Sequence, residues 1–342
     1  MGMFQLGRHK RSSVLSALLS LSLFFTQGSS LVWAADSGTG TSDTEAVQAQ
    51  TVSPDGSDAA LDPEDLYHEN EWNFVEDSMD ISGGIPDNVI GRLARIRKKG
   101  KLVVCTEPYF VPQEFIDPDL SGQERYAGAD MELARLIASR MGVELEIVPL
   151  DFTEVLSSIG SGKYDLAISA LSYTPGRASS MELSKGYHYT SEGAAVGLII
   201  REDDAGLFRE LADLSGKNIA AQSGSLQELL AAENITDYSQ FVRLPSIQDV
   251  YDQVSEGSAD AAAVDIESAR LYIQSNPDCG LTLMDGITFN LEPQFEGDRI
   301  AGPKDDLELM YFVNGVIDEV LASGQYETWF AEASERAADL GL

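Results

Sequence analysis

Histidine is the scarcest of the residues from which an enzyme site could be built in this sequence. The 342-residue chain contains three histidines, and His9 and His68 both precede the region that has a globular pattern. A zinc site made of several histidines therefore cannot form, and a histidine-based catalytic triad would have to use His188 alone. We expect no metal site, no cofactor and no catalytic residue. Catalysis by carboxylates alone stays open, although no pair of acids stands out.

Positive charge is also in short supply. Lysine and arginine total 23 against 56 aspartates and glutamates, so the net charge is −33 at pH 7. A field of this sign repels nucleic acid and anionic membrane surfaces. We therefore expect no nucleic-acid partner.

Cysteine is limited to Cys105 and Cys279. The two could pair in an oxidising compartment. However, Cys105 lies in an apolar segment typical of a buried strand, whereas Cys279 lies in a turn flanked by proline and glycine. We expect two free thiols rather than a disulfide.

Long apolar runs are confined to the N-terminus. The run Val14–Phe25 follows three basic residues, and Val32 and Ala34 supply the small side chains of a cleavage site. The run is shorter than the roughly 20 residues that a membrane-spanning helix needs. Residues 1–35 are therefore predicted to be a signal peptide. We expect the mature protein to be periplasmic or associated with the cell surface.

A strongly acidic stretch follows this segment. Residues 36–91 contain fourteen Asp or Glu and no Lys or Arg. The first part consists mainly of small and polar residues, which bury too little apolar surface to offset the entropy of the chain. We predict that residues 36–86 form a largely disordered acidic spacer, of which residues 61–86 carry enough apolar side chains to dock loosely on the folded body.

Strands and helices alternate from residue 88 onward. Apolar residues at positions 133, 136, 137 and 141 have helical spacing, as do those at 152, 155, 156 and 159. The predicted strands are Leu102–Cys105, Glu144–Pro149, Asp165–Ser169, Val196–Ile200, Asn218–Ala221, Phe241–Leu244, Ala261–Val264 and Leu281–Met284. The predicted helices are Asn88–Lys99, Asp130–Met141, Phe152–Ile159, Leu226–Ala232, Gln248–Glu256, Ile266–Gln274, Leu307–Ser323 and Gln325–Leu340. This alternation predicts an α/β fold with parallel, doubly wound sheets.

Two of the predicted strand ends carry groups suited to an anion. Ser169–Arg177 follows one strand, and Arg177 can grip a carboxylate through two parallel hydrogen bonds. Ala221–Leu226 opens a helix whose first N–H groups can hold an anion. Such groups belong just past the carboxyl ends of the strands of an open sheet. A solvated surface arginine and an ordinary helix start are the alternatives at these two places.

Several short segments occur in a characteristic order. They are Lys101–Val104, Glu114–Asp117, Gly128–Ala134, Gly162–Ser169, Thr174–Arg177, Gln222–Ser225 and Ala259–Asp265. Together they resemble the polar amino-acid-binding proteins, family 3 of the bacterial solute-binding proteins, from about residue 88 to 330. The resemblance implies a periplasmic-binding-protein-like fold in which two doubly wound α/β lobes are joined by strands that cross near 193–200 and 292–300. Lobe 1 would comprise residues 87–195 and 297–342, and lobe 2 residues 196–296.

The resemblance also implies a ligand-binding site. Its expected residues are Glu107, Phe110, Asp130, Phe152, Ser169, Ala170, Ser172, Arg177, Ser225, Leu226 and Asp265. Arg177 would bind the α-carboxylate of an amino acid with the backbone N–H groups of Ser172 and Leu226. Asp265 would pair with the α-ammonium group, together with polar groups of Ser169–Ala170.

The remaining positions concern the side chain of the ligand. Phe110 and Phe152 match an aromatic pair that encloses the aliphatic stem, although Phe152 also fits the core face of its own helix. Glu107 and Asp130 match acidic positions that favour a cationic or donor-bearing side chain. They could equally be ordinary surface or capping acids.

Three departures from the family pattern leave side-chain specificity open. Gln113 replaces an aromatic residue, Gly176 replaces the glutamate before the arginine, and Leu226 replaces a hydroxyl residue. Recognition of the α-carboxylate survives these changes, because Arg177 and backbone N–H groups provide it.

The expected function is capture of a free polar L-amino acid, basic or glutamine-like, by a monomer whose lobes close around it. The closed form would deliver the ligand to the membrane permease of an ABC importer. Two alternatives stay open. One is an enzyme on the same scaffold, such as a periplasmic dehydratase of cyclic amino-acid precursors, and the other is the ligand-binding domain of a membrane sensor.

Overall fold

The computed structural model describes residues 74–189, 196–289 and 296–342, all of which belong to one structural unit, Gln48–Leu342. The predicted signal peptide and most of the predicted spacer lie outside these ranges. So do residues 190–195 and 290–295, on which the predicted crossings between the lobes partly fall.

The first sheet has five strands in the order β5-β1-β6-β13-β7. These are β1 (Lys101–Thr106), β5 (Glu144–Pro149), β6 (Leu166–Leu171), β7 (Met181–His188) and β13 (Asp298–Pro303). Strand β1 pairs in parallel with β5 and β6, whereas β13 runs antiparallel to both β6 and β7. The helices of this lobe are α1 (Gly91–Lys99), α2 (Ala129–Met141), α3 (Phe152–Gly160), α4 (Pro175–Ser180), α8 (Leu307–Ser323) and α9 (Gln325–Leu340).

The second sheet repeats this arrangement, with the order β10-β9-β11-β8-β12. Its strands are β8 (Val196–Arg201), β9 (Asn218–Gln222), β10 (Gln240–Leu244), β11 (Ala261–Asp265) and β12 (Leu281–Phe289). Strand β9 pairs in parallel with β10 and β11, and β8 runs antiparallel to β11 and β12. The helices α5 (Leu226–Asn234), α6 (Ile247–Ser255) and α7 (Ile266–Ser275) pack against it.

A third, smaller sheet lies beside the first. It consists of β2 (Tyr109–Phe110), β3 (Glu114–Ile116) and β4 (Tyr126–Ala127), paired antiparallel. The segment between β1 and α2 therefore folds as a short meander, and Glu114 on β3 accepts a hydrogen bond from Ser169 on β6 of the first sheet.

The helices form where apolar spacing and a good cap coincide. In α6, Ser246 caps the first turn by accepting a hydrogen bond from the N–H of Asp249, and the buried residues 247, 250, 251 and 254 form one apolar stripe. In α2, residues 133, 134, 137, 138 and 141 are buried, and Gly142 ends the helix in the left-handed conformation with φ of 68°.

Each predicted strand and helix is confirmed, with differences of a few residues at the ends. Strand β7, helix α4 and the three-stranded sheet were not predicted, and β13 was anticipated only as the second crossing that the family resemblance implies. The prediction of parallel sheets is incomplete, because β13 and β8 are antiparallel to their neighbours. Neither strand belongs to a strand–helix–strand unit of its own sheet, and only such units impose the parallel direction.

Residues 74–86 pack on the first lobe and are called the N-terminal strap below. The N–H of Val75 donates to the carbonyl oxygen of Leu183 at 2.8 Å, and that of Met79 to Tyr311 at 2.8 Å. The amide of the buried Asn314 in α8 donates to the carbonyl oxygens of Val75 and Asp77. The strap is thus bonded both to β7 and to α8.

Both cysteines are free, as expected. Cys105 is fully buried in β1, and burial raises the pKa of its thiol to about 12. Cys279 is half-buried in the turn before β12.

None of the described helices is long and apolar enough to cross a membrane.

Candidate functional site

The carboxyl ends of β1, β6 and β9 meet at a cavity of about 30 Å³. Its lining residues are Glu107, Phe110, Glu114, Phe152, Ser169, Ala170, Ser172, Arg177, Gln222, Ser225, Leu226 and Gln227. All of the predicted ligand-binding residues except Asp130 and Asp265 are in this set. Residues from both sheets contribute, so the cavity lies in the cleft between the lobes.

Arg177 supplies the positive charge of the cavity. Its backbone is fixed at the start of α4, where Thr174 Oγ1 accepts a hydrogen bond from the N–H of Arg177 at 3.1 Å. The guanidinium donates to the carbonyl oxygens of Ser172 at 2.7 Å and of Gly224 at 2.9 Å, and it lies 5.4 Å from the ring centroid of Phe152. Gly224 belongs to the second lobe, so this side chain spans the cleft.

The charge of Arg177 is buried and unbalanced. The residue is 7% exposed, and burial lowers the pKa of its guanidinium to about 10, which still leaves it protonated at neutral pH. Within residues 74–189, 196–289 and 296–342, no carboxylate forms an ion pair with it. A buried cation without a counter-ion is costly unless an anion joins it, so this part of the cavity is suited to a carboxylate.

The start of α5 adds donors next to Arg177. Ser225 caps the helix by accepting the N–H of Glu228 at 3.0 Å, and Leu226 and Gln227 follow it in the cavity wall. The first N–H groups of a helix have no partner inside the helix and carry a partial positive charge. Ser225 thus acts as the cap, and Leu226 and Gln227, whose N–H groups belong to the first turn of α5, line the cavity.

Glu107, which follows β1, is one of two acids that line the cavity, the other being Glu114. Both of its carboxylate oxygens accept hydrogen bonds from Gln222 Nε2, at 2.7 and 2.8 Å. It is 1% exposed, and burial raises the pKa of its carboxyl group to about 7. Gln222 was not predicted as a site residue. Its position at the end of β9 could have indicated it, because Ser169 occupies a similar position near the end of β6.

Ser169, in the cavity wall, and Asp130, behind it, belong to buried hydrogen-bond networks. Ser169 Oγ accepts the N–H of Glu107 at 3.0 Å and donates to Glu114 Oε1 at 2.8 Å. Asp130 accepts hydrogen bonds from the N–H of Ala170 and from the hydroxyl groups of Tyr187 and Tyr326. Asp130 is fully buried and does not line the cavity.

Ala170 takes a backbone conformation that favours glycine. Its φ is 45°, which for a residue with a Cβ stores strain, and the N–H bonded to Asp130 helps to hold it. The network behind the cavity therefore shapes the strand end that faces the cleft.

Asp265 lies at the end of β11 and caps α7. Its Oδ1 accepts the N–H of Ser268 at 2.8 Å, and burial raises the pKa of its carboxyl group to about 6. It is not among the residues that line the cavity. The pairing of Asp265 with an α-ammonium group therefore stays a prediction.

A larger cavity of about 290 Å³ lies on the other side of Phe110. Its wall is largely aromatic and aliphatic, with Tyr109, Tyr251 and Tyr272 among the contributors, and it has no lysine or arginine side chain. Because a charged amino acid needs a buried cation and donors, the smaller cavity at Arg177 is the candidate site despite its size.

The described part of the chain has no group of three or more His, Cys, Asp or Glu that could hold a metal ion.

Comparison with known families agrees with the geometry of this cleft. The sequence model of the bacterial extracellular solute-binding proteins, family 3, matches residues 102–332. The chain belongs to this family. In this family-3 protein the matched region contains both sheets and every predicted site residue.

The chain is similar in sequence to amino-acid-binding proteins and in fold to solved structures of such proteins. The arginine-binding extracellular protein ArtP of Bacillus subtilis (strain 168) is 28% identical over 237 residues, which is 68% of this chain and 87% of ArtP. The amino-acid ABC transporter substrate-binding protein AbpA of Streptococcus pneumoniae Canada MDR_19A, solved with L-arginine, is 32% identical with a TM-score of 0.63, and the match covers 72% of this chain and 99% of AbpA. The ancestral amino-acid-binding protein AncCDT-1, described as a precursor of cyclohexadienyl dehydratase, is 26% identical with a TM-score of 0.59, over 70% of this chain and all of that one (100%).

Proposed function

We propose that this family-3 protein binds a free basic L-amino acid, with L-arginine as the first candidate, and delivers it to the membrane permease of an ABC importer. The observation that carries the proposal is the buried guanidinium of Arg177, whose hydrogen bonds among the described residues go only to carbonyl oxygens. The names of ArtP and of the arginine-bound AbpA support the choice of ligand.

In the proposed complex, Arg177 and the first N–H groups of α5 bind the α-carboxylate. Phe110 and Phe152 border the aliphatic stem, and Glu107 faces the cationic end. Asp265, one strand further along the second sheet, takes the α-ammonium group. The ligand would then contact both lobes at once, which favours the closed form.

Entry of the ligand requires the lobes to separate. The cavity of about 30 Å³ has room for one or two water molecules, not for an amino acid. The hydrogen bonds that cross the cleft, from Arg177 to Gly224 and from Gln222 to Glu107, must break for the lobes to separate, and the bond from Gln222 to Glu107 re-forms on closure around the ligand. A hinge motion between the two lobes is the natural way to achieve this.

We further propose that the protein works outside the cytoplasmic membrane, as a monomer, and that the ligand leaves unchanged. The predicted signal peptide supports the location. An enzymatic role is the main alternative, because AncCDT-1 is described as a precursor of a dehydratase. Recovery of L-arginine intact after prolonged incubation, measured by mass spectrometry, distinguishes the receptor from the enzyme.

The decisive experiment is calorimetry of the purified, ligand-stripped protein with L-arginine. Arg177→Ala is expected to weaken binding by about 30-fold or more, since truncating one partner of a buried charge pair typically costs 2–5 kcal/mol and each 1.4 kcal/mol is tenfold. Arg95→Ala is the matched control, because the side chain of Arg95 is 65% exposed, and it should bind as the wild type does. Unchanged affinity in Arg177→Ala would refute the proposed site.

A further inference from the structure

Glu107 belongs to the first lobe, but its carboxylate is held by the second. The residue follows β1, whereas Gln222, which donates to both carboxylate oxygens, ends β9. The N–H of Ile247, the first residue of α6, also donates to this carboxylate. Gln222 Nε2 reaches the carbonyl oxygen of Pro245, just before α6, at 3.4 Å. Closing the cleft therefore brings the carboxylate of Glu107, from the first lobe, against the amide of Gln222 and the first turn of α6 in the second lobe.

The groups that donate hydrogen bonds to the carboxylate of Glu107 are neutral, and most of the charged residues near it are acids. Burial raises the pKa of Glu107 to about 7, the hydrogen bonds from Gln222 and Ile247 oppose that rise, and the charges of Asp151 and Asp249 add to it. The acid of Asp151 comes from the start of α3, and that of Asp249 from the first turn of α6.

Two further titratable groups line the same cavity as Glu107. Glu114 on β3 is a fully buried acid, and Arg177 on α4 is the cation assigned to the α-carboxylate. No lysine or arginine in the described part of the chain forms an ion pair with Glu107. The closed cleft therefore contains a second charge that the protein itself leaves without a counter-charge.

We propose that Gln222, with the start of α6, is a specificity-determining element, because it carries Glu107 into the closed interface and so makes closure depend on a positive charge at that carboxylate. A ligand with a cationic side chain supplies this charge. A neutral ligand of the same shape leaves the carboxylate uncompensated, and closure then takes up one proton from solvent. The inference rests on the proposed function and deepens it: the protein selects cationic over isosteric neutral amino acids through the energetics of closure.

The proposal predicts that the affinity for a neutral ligand falls as the pH rises. With a neutral ligand the pKa of Glu107 is higher in the closed form than in the open form, so closure is favoured by protons. Affinity for a neutral ligand should fall by roughly tenfold per pH unit between pH 5 and pH 7 and then level off. Affinity for L-arginine should change little over this range, because Glu107 is ionised by solvation in the open form and by the guanidinium of the ligand in the closed form.

The test compares L-arginine with L-citrulline, which has a neutral urea group in place of the guanidinium. Calorimetry at pH 5, 6, 7 and 8, each in two buffers of different ionisation enthalpy, gives both the affinity and the number of protons taken up. We expect up to one proton with L-citrulline near pH 6 and close to none with L-arginine. Preference for L-arginine should therefore grow about 100-fold from pH 5 to pH 8.

Two variants separate this role from a purely structural one. Glu107→Gln should abolish proton uptake and make the L-citrulline affinity independent of pH. Gln222→Met keeps the bulk of the side chain but removes the donor that stabilises the ionised carboxylate, so the midpoint of proton uptake should move to higher pH. A merely structural Gln222 would weaken both ligands without moving that midpoint.

The outcomes distinguish the inference from the function on which it rests. Failure of the wild-type protein to bind L-arginine would overturn the proposed function. Normal binding of L-arginine together with proton-independent binding of L-citrulline would overturn only the inference. Absence of L-citrulline binding at pH 5 as well as at pH 8 would also overturn it, because a protonated Glu107 needs no cation.

Discussion

Glu114 and Asp130 show how a single buried charge shapes the cleft. Glu114 is fully buried, and its Oε2 has no hydrogen-bond partner among the described residues other than the neighbouring acid. Burial and the charge of Asp130 hold the pKa of Glu114 well above its usual range. Asp130 receives three hydrogen bonds, from Ala170, Tyr187 and Tyr326. The arrangement therefore places the proton on Glu114 and the negative charge on Asp130.

Glu114→Gln should make the protein less sensitive to alkaline pH. A raised pKa in the folded state means that the stability linked to this group is fully present below the unfolded pKa, near 4.5, and is lost as the pH rises toward the folded value. The loss for the wild type is about 1.4 kcal/mol per pH unit over that window. Glutamine keeps the acceptor for Ser169 and the donor for Asp130, but cannot ionise.

The measurement is the free energy of unfolding in urea at pH 5, 6.5 and 8. Glu154→Gln on the exposed side of α3 is the control, since Glu154 is exposed. A slope for Glu114→Gln as steep as that of the control would show that Glu114 is not the group that titrates.

The sequence identified most of the residues at the cleft but not the direction of each side chain. Arg177 and Ser169 line the cavity as the pattern of strand ends suggested, and Phe152 does so as the family resemblance implied. The carboxylate of Asp130 instead bonds to Tyr326, which is 196 positions away along the chain. Such a contact depends on the packing of α2 against α9, and spacing within one segment cannot show it.

Among the elements, the packing of the N-terminal strap depends most clearly on a single residue, Gly315 in α8. Adding a Cβ to Gly315 in α8 would place that atom against the carbonyl oxygen of Met79 and 2.7 Å from Cγ2 of Ile81. The neighbouring Asn314 bonds the strap through its amide and accepts the N–H of Lys185 from β7. The face of α8 at these two residues is therefore built to receive the strap.

Gly315→Ala should release the strap without unfolding α8. The clash removes the hydrogen bond from Met79 to Tyr311, and overpacking of this kind typically costs 1–3 kcal/mol, whereas alanine favours the helix itself by about 1 kcal/mol. Global stability is thus a poor readout. Hydrogen exchange of the peptide that contains Met79 should accelerate strongly.

Gly206→Ala is a suitable control for this experiment, because nothing lies within 4 Å of the Cβ that it would add. Equal protection of the Met79 amide in both variants would contradict the assigned role of Gly315.

Regular elements were easier to predict than short or solitary ones. The stripes of α2, α3 and α6 have clear helical spacing, and each contains at least nine residues. Helix α4 has six residues, and it exists because Thr174 caps it and Pro175 starts it. Strand β7 contains the polar residues Glu182, Ser184 and Lys185, so its sequence does not have the apolar pattern of a buried strand. In the structure it is nevertheless largely buried between β13 and α8.

At the scale of the whole molecule, the two sheets share one strand order. Each has three parallel strands, then one antiparallel strand, then a fifth that runs in the original direction. Alternation of strands and helices along the chain predicted the parallel part. It could not predict β13, which joins β6 and β7 from more than 100 positions away, because pairing between distant segments leaves no local signal. The switch points of both sheets nevertheless face the same cleft, where ligands of open sheets bind.

Because the two cysteines differ in burial, the wild-type protein has a single accessible thiol, Cys279, to which a label can be attached. Cys105 is fully buried with a pKa of about 12, whereas Cys279 is half-buried in the second lobe. Since thiolates are the reactive form, a maleimide dye at neutral pH should couple to Cys279 alone, and mass spectrometry should find one adduct in the native protein and two in urea. Two adducts under native conditions would contradict the burial of Cys105. A fluorophore placed this way reports from one lobe without any engineered cysteine, so lobe movement becomes observable in the wild-type protein.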